Sequence, residues 1–548
     1  MAVVNFDRKI FEKEIGKIND KMEDKISMFG TPVEKVTNKE IQLEIFPNRP
    51  DMLSYQGFKR AFLAFLGKKT GLGEFNVKKS GYQLIVDKSL PKEWPYAFAC
   101  IVKGLKFDDE KIKEIIDLQE KLGVTLLRKR KKGGIGIYPL DKINFPIKFK
   151  GMEPDKIKFR PLEFPNEIDS KQILSKHPKG KEYSQIVEGW SKLPVFVDDK
   201  GVIMSMPPII NSHDVGKIDS TTKDIFVEVT GTDSNVLKNA LNIVISSLSG
   251  MDGKVYSIDC IQQNKKKEVI PNFTPELIKI SLINVNKLLG LNLNENQMKN
   301  LIEKMGYGYS KGVVSVPAYR TDIIHEVDLI EDIAIAYGYE NFSPEIPEIS
   351  TIGQESSKEI IKRRISEIFS GIGMLEVLNY HLTNKKNQFE KMGLQKKDFI
   401  ELEESKTDYT LLRKDLSHCL LKTLSDNIDS EYPQKIFETG KIFFLKRDEI
   451  CESESLAAAV SSGNFTIIKQ TLDYLFRLID LKVQIEECED FPKYFIGGRV
   501  AKIVLDGKDL GFIGEIHPRV LRKWKIKMPV ALFELNLDEV FKKLVQVA

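Results

Sequence analysis

The alternation of apolar and polar positions predicts both helices and strands from the first residues onward. Residues 6–22 have helical spacing with many Lys and Glu, which predicts an amphipathic helix. Residues 41–46 alternate between apolar and polar side chains and predict a strand, followed by a turn at residues 47–51. Residues 53–65 predict a further helix, which Gly67 closes.

From about Gly81 to Cys260 the pattern is mixed α/β, and two apolar strands there end in small polar side chains. They span residues 202–212 and residues 225–233. Amide, hydroxyl and carboxylate groups at strand ends can orient a substrate and a water molecule, and they serve equally well as turn residues and helix caps. The sequence leaves both interpretations open. The candidate pocket residues are Asn211, Ser212, Thr230, Thr232 and Asp233.

One acidic stretch differs from the rest of the chain, because no Lys or Arg occurs from Thr321 to Ser357. The same 37 residues carry nine Asp and Glu. A short strand is predicted at residues 313–316, and Thr321 or Asp322 suits the N-cap of the helix that follows. Apolar residues at intervals of four and three predict one buried helix face, formed by Ile323, Val327, Ile330, Ala334 and Tyr337.

The acidic residues of this helix are expected on its opposite face. Asp328, Glu331 and Asp332 are spaced i, i+3 and i+4, so their carboxylates should converge. Hard oxygen ligands with no nearby cation suit Mg²⁺, whereas a solvated acidic face with Asp322 as a cap is the other interpretation. Spacing alone does not decide between them. The candidate magnesium ligands are Asp322, Asp328, Glu331 and Asp332.

The stretches on either side of the acidic helix have simpler patterns. Residues 271–306 predict a small winged-helix-like fold in which Asn294 caps a helix. Residues 341–352 are proline-spaced and predict a linker. The elements predicted beyond Glu359 are a long helix, a buried helix from Leu411 to near Asn427, and strand-turn units at residues 435–443 and 511–519.

Length and composition are those of a soluble multidomain protein. The 548 residues suffice for about three or four domains, and the net charge of +4 limits any nucleic-acid contact to a local patch. Five well-separated cysteines without a CxxC pair argue against a zinc ribbon or a disulfide framework. The N-terminus lacks a signal-peptide pattern, and no run of about 18 apolar residues occurs. A cytoplasmic protein without membrane contact is expected.

The densest basic run is Arg128 to Lys132, followed by the glycine-rich residues 133–136. Such a cluster can bind phosphates, although a solvated loop is the commoner explanation. The glycines lack the Lys-Ser/Thr ending of a P-loop and the full spacing of a dinucleotide-binding motif. Both nucleotide-binding interpretations are therefore rejected.

Several of these motifs resemble one known family. Residues 317–339 are similar to the signature of the phenylalanyl-tRNA synthetase β subunit, in its compact archaeal/eukaryotic type. The strings at residues 44–54, 182–189, 202–212 and 225–233 resemble further motifs of that family in the same order. The resemblance therefore covers almost the whole chain.

The resemblance implies two sites. The four acidic residues named above would form a magnesium site near the contact with an α subunit. The segment containing Asn211, Ser212, Thr230, Thr232 and Asp233 would be an editing module, which hydrolyses tyrosine wrongly attached to the phenylalanine tRNA. A second site of this kind is needed because an apolar phenylalanine pocket rejects an added hydroxyl only weakly.

The resemblance also implies an architecture, an α+β or mixed α/β multidomain chain. Its parts would be an N-terminal structural domain (1–80), a tRNA-editing domain (81–270), a small winged-helix-like domain with the acidic stretch (271–345), and a class II synthetase-like antiparallel-sheet core (346–548). That core lacks the arginine motifs that hold ATP, since Gly497-Gly-Arg499 is too short to serve. Activation of phenylalanine with ATP is therefore expected in a separate α subunit.

The expected assembly is an α2β2 heterotetramer acting on tRNA(Phe). A free-standing tRNA-binding or scaffold protein with a degenerate synthetase core is the alternative; a free-standing editing protein would not need that core. One departure from the family pattern concerns the pocket. The family string usually reads His-Asp-Leu-Asp-Lys, whereas this chain has Tyr138-Pro-Leu-Asp-Lys142, which predicts an altered loop beside the pocket.

Overall fold

A computed structural model describes residues 2–348, 352–403 and 405–545. The chain divides into two compact units, residues 1–346 and residues 347–548. Each contains its own sheets and helices, so the expectation of a mixed α/β multidomain chain is confirmed. The finer division of the first unit into three domains stays a prediction.

A three-stranded antiparallel sheet begins the first unit, with its third strand in the middle. The predicted continuous helix over residues 6–22 is wrong, because the chain starts as a strand and Gly16, with a φ of +143°, interrupts the helical backbone. The predicted strand and the helix before Gly67 are confirmed. The strands are Ala2–Asp7, Val33–Val36 and Glu40–Ile45, and the helices are Arg8–Glu14, Asp20–Met28 and Tyr55–Phe65.

A ten-stranded mixed sheet occupies the middle of the first unit. Its strands are Val77–Val86, Tyr96–Lys103, Gly133–Pro139, Ile147–Met152, Leu193–Val197, Ile203–Met206, Ile210–Asn211, Ile225–Gly231, Lys254–Ile261 and Lys267–Ile270. The helices beside it are Asp109–Val124, Ser170–Lys176, Pro178–Tyr183, His213–Gly216 and Ser234–Gly250, and a small separate sheet pairs Lys158–Phe159 with Ile168–Asp169. The two apolar strands predicted within residues 202–212 and 225–233 are confirmed.

Strand Ile225–Gly231 lies deep inside this sheet. All seven of its residues are buried, and it pairs antiparallel with Tyr96–Lys103 on one side and Gly133–Pro139 on the other. Helix Ser234–Gly250 follows it directly and packs on the same strands. Side chains that project from this strand are consequently held by close packing on both flanks.

The last part of the first unit combines a three-stranded sheet with three helices. The strands are Glu276–Lys279, Gly308–Ser310 and Val313–Val316, with the last strand in the middle. The helices are Leu282–Leu289, Glu295–Lys304 and Glu326–Tyr337. Asn294 caps the second helix as predicted, accepting a hydrogen bond from the amide of Gln297 at 2.9 Å.

The predicted linker at residues 341–352 lies partly outside the described residues. Its described part from Phe342 to residue 348 has no regular secondary structure. This agrees with the linker interpretation for those residues, and the boundary between the two compact units falls within the segment.

The second unit is built on a seven-stranded sheet whose pairs are antiparallel except for the first. In sheet order the strands are Leu375–Glu376, Gln434–Lys446, Glu449–Ser461, Val530–Asn536, Lys508–Ile516, Phe495–Leu505 and Gln484–Glu486. The α-helices are Ser357–Gly371, Ser417–Asp426, Phe465–Leu478, Pro518–Trp524 and Asp538–Val545, and a two-stranded sheet pairs Leu382–Thr383 with Leu411–Leu412.

Two predictions for this unit are wrong in detail. The helix expected from Leu411 begins only at Ser417, because Leu411 and Leu412 pair with another strand. The strand-turn unit expected at residues 435–443 is one uninterrupted strand. Gly440 lies within it because a Cβ there would come within 2.3 Å of Arg413 Nη2.

Candidate functional site

A cleft of about 340 Å³ opens beside the central sheet of the first unit. Strand Gly133–Pro139 and the segment from Pro207 to Asn211 form much of its lining. Most of the lining is apolar and includes Ile116, Ile135, Ile137, Pro208, Ile209 and Ile218. A cleft of this size and composition accommodates a flat, largely apolar side chain.

Three polar side chains meet at the wall of this cleft, and two of them, Asn211 and Glu228, line it. The hydroxyl of Tyr138 lies 3.1 Å from Glu228 Oε1 and 3.3 Å from Asn211 Oδ1 and can donate to either. Glu228 Oε2 has no hydrogen-bond partner among the residues that the structure describes. A Cβ on Gly136 would lie 2.2 Å from Glu228 Oε1 and 2.5 Å from the Tyr138 hydroxyl, so glycine is required there.

Burial controls the protonation of this group. It raises the pKa of Glu228 from 4.5 to about 8, and the hydrogen bond from Tyr138 opposes that rise only partly. Burial and the neighbouring Glu228 also raise the pKa of Tyr138 well above its usual value. Both groups are therefore protonated near neutral pH, and each can donate as well as accept a hydrogen bond.

The structure brings only part of the predicted pocket residues to this cleft. Asn211 lines it. Ser212 is buried and caps the short helix that follows it, and Asp233 caps helix Ser234–Gly250 through the amides of Asn235 and Val236. Thr230 is fully buried and its hydroxyl has no partner among the described residues, whereas Thr232 is exposed. The individual roles of these five residues stay predictions.

Sequence analysis missed Glu228, and it named Tyr138 only as a departure from the family pattern beside the pocket. A single carboxylate within the apolar string Ile225-Phe-Val-Glu-Val is the signal that points to Glu228. The change at Tyr138 and Pro139 was expected to alter a loop beside the pocket. The structure places both residues at the end of strand Gly133–Pro139, where Tyr138 pairs with Phe226 and its hydroxyl meets Glu228 and Asn211 at the cleft wall.

The basic run Arg128–Lys132 forms a turn at the edge of the same cleft, and we refer to it as the basic turn. Arg130 reaches into the cleft, where Nη1 donates to the carbonyl oxygens of Pro208 at 3.1 Å and Ile209 at 3.0 Å. Its guanidinium lies 4.4 Å from the ring centroid of Tyr183. One residue of the run is thus structural and belongs to the cleft wall.

The acidic helix begins later than the sequence predicts. It spans Glu326–Tyr337, and His325 is its N-cap, so the predicted caps at Thr321 and Asp322 are wrong. Asp328 completes this cap, since its Oδ2 accepts from the amides of Ile324 and His325 at 2.8 Å each.

The predicted faces of this helix are also wrong in part. Val327 was expected in the core but is 49% exposed, and Ile323 precedes the helix. Asp332 was expected on the solvated face but is buried. Glu331 is exposed, so the carboxylates of Asp328, Glu331 and Asp332 point to different surroundings and do not converge.

A buried arginine neutralises two of the four predicted magnesium ligands. Arg320 donates to both oxygens of Asp322 and to Asp332 Oδ2, each at 2.8 Å, and Tyr307 also donates to Asp332. Burial disfavours the guanidinium charge, yet Asp332 and Asp322 raise the pKa of Arg320 well above its usual value. Arg320 is therefore the cation that balances Asp322 and Asp332. It is the residue immediately before the stretch that contains no Lys or Arg.

The donor set does not fit a magnesium ion in this arrangement. Within residues 2–348, 352–403 and 405–545, no group of three or more His, Cys, Asp or Glu side chains is placed to hold a metal. Asp328 is engaged in helix capping, and Asp322 and Asp332 are paired with Arg320. The magnesium site stays a prediction from the resemblance.

Comparison with known proteins decides the family. The phenylalanine–tRNA ligase beta subunit of Archaeoglobus fulgidus is 36% identical over 551 residues, which cover 99% of this chain and 99% of the relative. The beta subunits of Thermococcus sibiricus and Pyrococcus horikoshii are each 37% identical, covering 90% of this chain and 90% of each relative. This chain belongs to the phenylalanine–tRNA ligase beta subunits.

Two family models and one solved structure agree with this membership. The model of the tRNA synthetase B5 domain matches residues 278–339, and that of the phenylalanyl tRNA synthetase beta chain CLM domain matches residues 343–537. A crystal structure of an N-terminal fragment of the phenylalanyl-tRNA synthetase β subunit from Pyrococcus horikoshii is 34% identical. It covers 61% of this chain and 99% of the fragment, with a TM-score of 0.59.

Membership makes this chain a subunit of an aminoacyl-tRNA ligase, and the alternative of a free-standing scaffold protein is set aside. Two arginines of the second unit, Arg413 and Arg499, are engaged in ion pairs. Arg413 is buried against Glu438 at 2.5 Å, and Arg499 pairs with Glu515 at 2.7 Å.

Among the described residues, no helix has both the length and the apolar character needed to cross a membrane.

Proposed function

We propose that this beta subunit hydrolyses tyrosine mistakenly attached to tRNA(Phe), and that it does so in the cleft around Glu228. The observation that supports this is the buried carboxyl of Glu228, hydrogen-bonded by Tyr138, at the wall of a cleft whose lining is mostly apolar. An aromatic side chain fills the apolar part, and a phenol hydroxyl reaches the polar part. The substrate that matches both is a tyrosyl ester.

Discrimination against phenylalanine follows from hydrogen bonding. The tyrosine hydroxyl would bond to the carboxyl of Glu228, whose Oε2 has no partner among the described residues. Phenylalanine would displace water from the same groups and leave them unpaired, which costs about 1–3 kcal/mol. A polar site of this type rejects the analogue that lacks the hydroxyl far better than an apolar site rejects the analogue that carries it.

The reaction is ester hydrolysis. Water adds to the ester carbonyl of tyrosyl-tRNA, the bond from that carbon to the ribose oxygen breaks, and the proton from water ends on the ribose hydroxyl. Free tyrosine and uncharged tRNA are the products. Asn211, which lines the cleft, is the predicted pocket residue best placed to contact the substrate.

The subunit is proposed to act within an α2β2 assembly in which the α subunit activates phenylalanine with ATP. The exposed apolar side chains Leu378 and Tyr380 of the second unit support a large protein interface, since each is 84% exposed. Tyrosine that escapes selection during charging by α would then be removed by β.

The test is deacylation by the complex of this chain with its cognate α subunit. We expect wild-type complex to hydrolyse Tyr-tRNA(Phe) and to spare Phe-tRNA(Phe). Glu228→Leu should lower Tyr-tRNA hydrolysis by about 10- to 100-fold, because the phenol loses its buried partner. Glu228→Gln, which keeps the shape and the hydrogen bonding, is the matched control and should retain most activity. A wild-type complex that leaves Tyr-tRNA intact, or a Leu variant as active as wild type, would contradict the proposal.

A further inference from the structure

The basic turn, Arg128–Lys132, has an unusual backbone that the proposed hydrolysis does not explain. Arg128, Lys129 and Arg130 have φ angles of +48°, +52° and +62°, a left-handed conformation that side chains other than glycine rarely adopt. Three such residues in succession persist only where the surrounding structure holds them, and such strain concentrates at functional sites.

Two sets of contacts hold the turn. The amides of Lys129 and Arg130 donate to the carbonyls of Val124 and Gly123 at 3.1 and 2.8 Å, which ties the turn to the end of helix Asp109–Val124. The carbonyl of Lys132 accepts from the amide of Thr232 at 3.1 Å, and Arg130 donates to Pro208 and Ile209 as described above. The turn is therefore attached to both sides of the cleft.

Three of the remaining four basic side chains of the turn face solvent, and the fourth, Lys132, is half-buried. Arg128, Lys129 and Lys131 are exposed, and the ion pairs found in the described part of the chain involve none of the three. Lys179, which also lines the cleft, differs because it pairs with Glu120 at 3.6 Å and Glu182 at 3.2 Å. Three uncompensated positive charges thus lie at one edge of the cleft.

The chemistry of the proposed substrate identifies a ligand for these charges. When a tyrosine side chain occupies the cleft, its ester must lie at the opening, and the phosphates of the attached RNA must pass over the edge. Lys and Arg bind such phosphates without regard to base sequence. We propose that the basic turn binds the backbone phosphates of the single-stranded 3′ end of the tRNA and positions the ester over the cleft. This inference rests on the proposed hydrolysis.

The test removes the three exposed charges and keeps Arg130. In the complex with α, the triple variant Arg128→Gln, Lys129→Gln, Lys131→Gln should raise the KM for Tyr-tRNA deacylation about tenfold or more and leave kcat nearly unchanged. The slope of log KM against log salt concentration should fall by about 2, because each phosphate contact to a single strand contributes roughly 0.7. The charge-conserving variant Arg128→Lys, Lys129→Arg, Lys131→Arg should behave as wild type.

A matched control removes three other lysines of the same sheet region that do not line the cleft. Lys200, Lys265 and Lys266 are exposed, and Lys265 also has a positive φ of 63°. Their triple change to Gln removes the same charge and should leave the KM within about twofold of wild type. An unchanged KM and salt slope in the basic-turn variant, or an equal loss in this control, would overturn the inference.

A second measurement separates this inference from the proposed function. The probe is tRNA(Phe) that carries tyrosine through a non-hydrolysable 3′-amide, examined by hydroxyl-radical footprinting on the complex. We expect protection of the 3′-terminal nucleotides, lost in the basic-turn variant and kept in the control. Failure of wild type to deacylate Tyr-tRNA would contradict the proposed hydrolysis alone, whereas absence of this footprint difference would contradict the phosphate contact.

Discussion

At the scale of single residues, burial gives Glu228 properties that an exposed carboxyl does not have. Its pKa is raised to about 8 by burial, so the folded protein retains the proton over a range in which the unfolded chain releases it. Folding is therefore linked to proton uptake at this position. The group that would recognise a phenol hydroxyl is also one that makes stability depend on pH.

The linkage gives a prediction for Glu228→Gln. Between pH 4.5 and about 8 the unfolded state binds fewer protons at this position, so wild-type stability falls as pH rises, by up to about 1.4 kcal/mol per pH unit. A Gln side chain does not ionise, so the stability of the variant lacks this dependence on pH. Its melting temperature relative to wild type should rise steadily from pH 5 to pH 8.

The exposed Glu163 provides the control for this measurement, because it lines the same cleft but faces solvent. Glu163→Gln should keep a constant difference from wild type over the same pH range. Parallel melting curves for wild type and Glu228→Gln at every pH would show that Glu228 is ionised in the folded protein.

Sequence analysis found residues whose partners are close in the chain and missed those whose partners are distant. Asn294 caps the helix beginning at the next residue, and its role was predicted correctly. Glu228 meets Tyr138 from 90 positions away, and no local spacing shows that contact. Helical spacing and the family resemblance grouped the four acids, whereas Arg320 supplies the charge for two of them from outside the helix.

At the scale of secondary-structure elements, several candidate residues do structural work at helix ends. Asp233 accepts hydrogen bonds from the amides of Asn235 and Val236 at 2.9 and 3.2 Å and begins the longest helix beside the central sheet. Asp328, the third residue of the acidic helix, accepts from the amide of its N-cap residue His325 at 2.8 Å. Loss of such a cap costs about 1 kcal/mol, so an effect of mutation on activity needs a control for stability.

Two substitutions at Asp233 separate capping from chemistry. Asp233→Ala removes both functions and should lower both the melting temperature and Tyr-tRNA deacylation. Asp233→Asn keeps a good cap, because an amide oxygen accepts from the same amides, but it lacks the carboxylate charge. If the Asp233 carboxylate acts in the reaction, deacylation falls in the Asn variant as well as in the Ala variant.

Circular dichroism melting and a deacylation assay on the complex with α provide the two readouts. Full activity of Asp233→Asn together with wild-type stability would limit Asp233 to a capping role. The apolar strands around this helix were predicted well, because local alternation and burial coincide there. The end of each element was predicted less well, because caps such as His325 depend on backbone geometry.

At the scale of the whole molecule, the second unit presents apolar side chains that a monomer would be expected to cover. Leu378 and Tyr380 are two positions apart and both are exposed. The side-chain amide of Asn379, which lies between them, donates to Glu438 Oε2 at 2.8 Å. These residues follow strand Leu375–Glu376 at the edge of the seven-stranded sheet. Obligate subunit interfaces bury roughly 2,000–5,000 Å² and are rich in such groups.

We expect the purified chain to lack ATP–pyrophosphate exchange with phenylalanine and to form an α2β2 complex with its α subunit. Leu378→Ser combined with Tyr380→Ser should weaken that complex at least tenfold, since buried aromatic and aliphatic contacts dominate interface energy. Leu478→Ser, at a position 52% exposed on helix Phe465–Leu478, is the control. Light scattering across a dilution series measures the assembly. A stable monomer with exchange activity of its own would refute this expectation.

The boundary between the two compact units, near residue 346, matters for gene fusion in evolution and in protein engineering. Every residue of the cleft, including Glu228 and the basic turn, lies before it, and the solved fragment from Pyrococcus horikoshii corresponds to this part of the chain. The residues of the proposed proofreading cleft are thus encoded in one continuous stretch of sequence. Gene fusion or fission at this linker would move that stretch to another protein without cutting through the hydrophobic core of either unit.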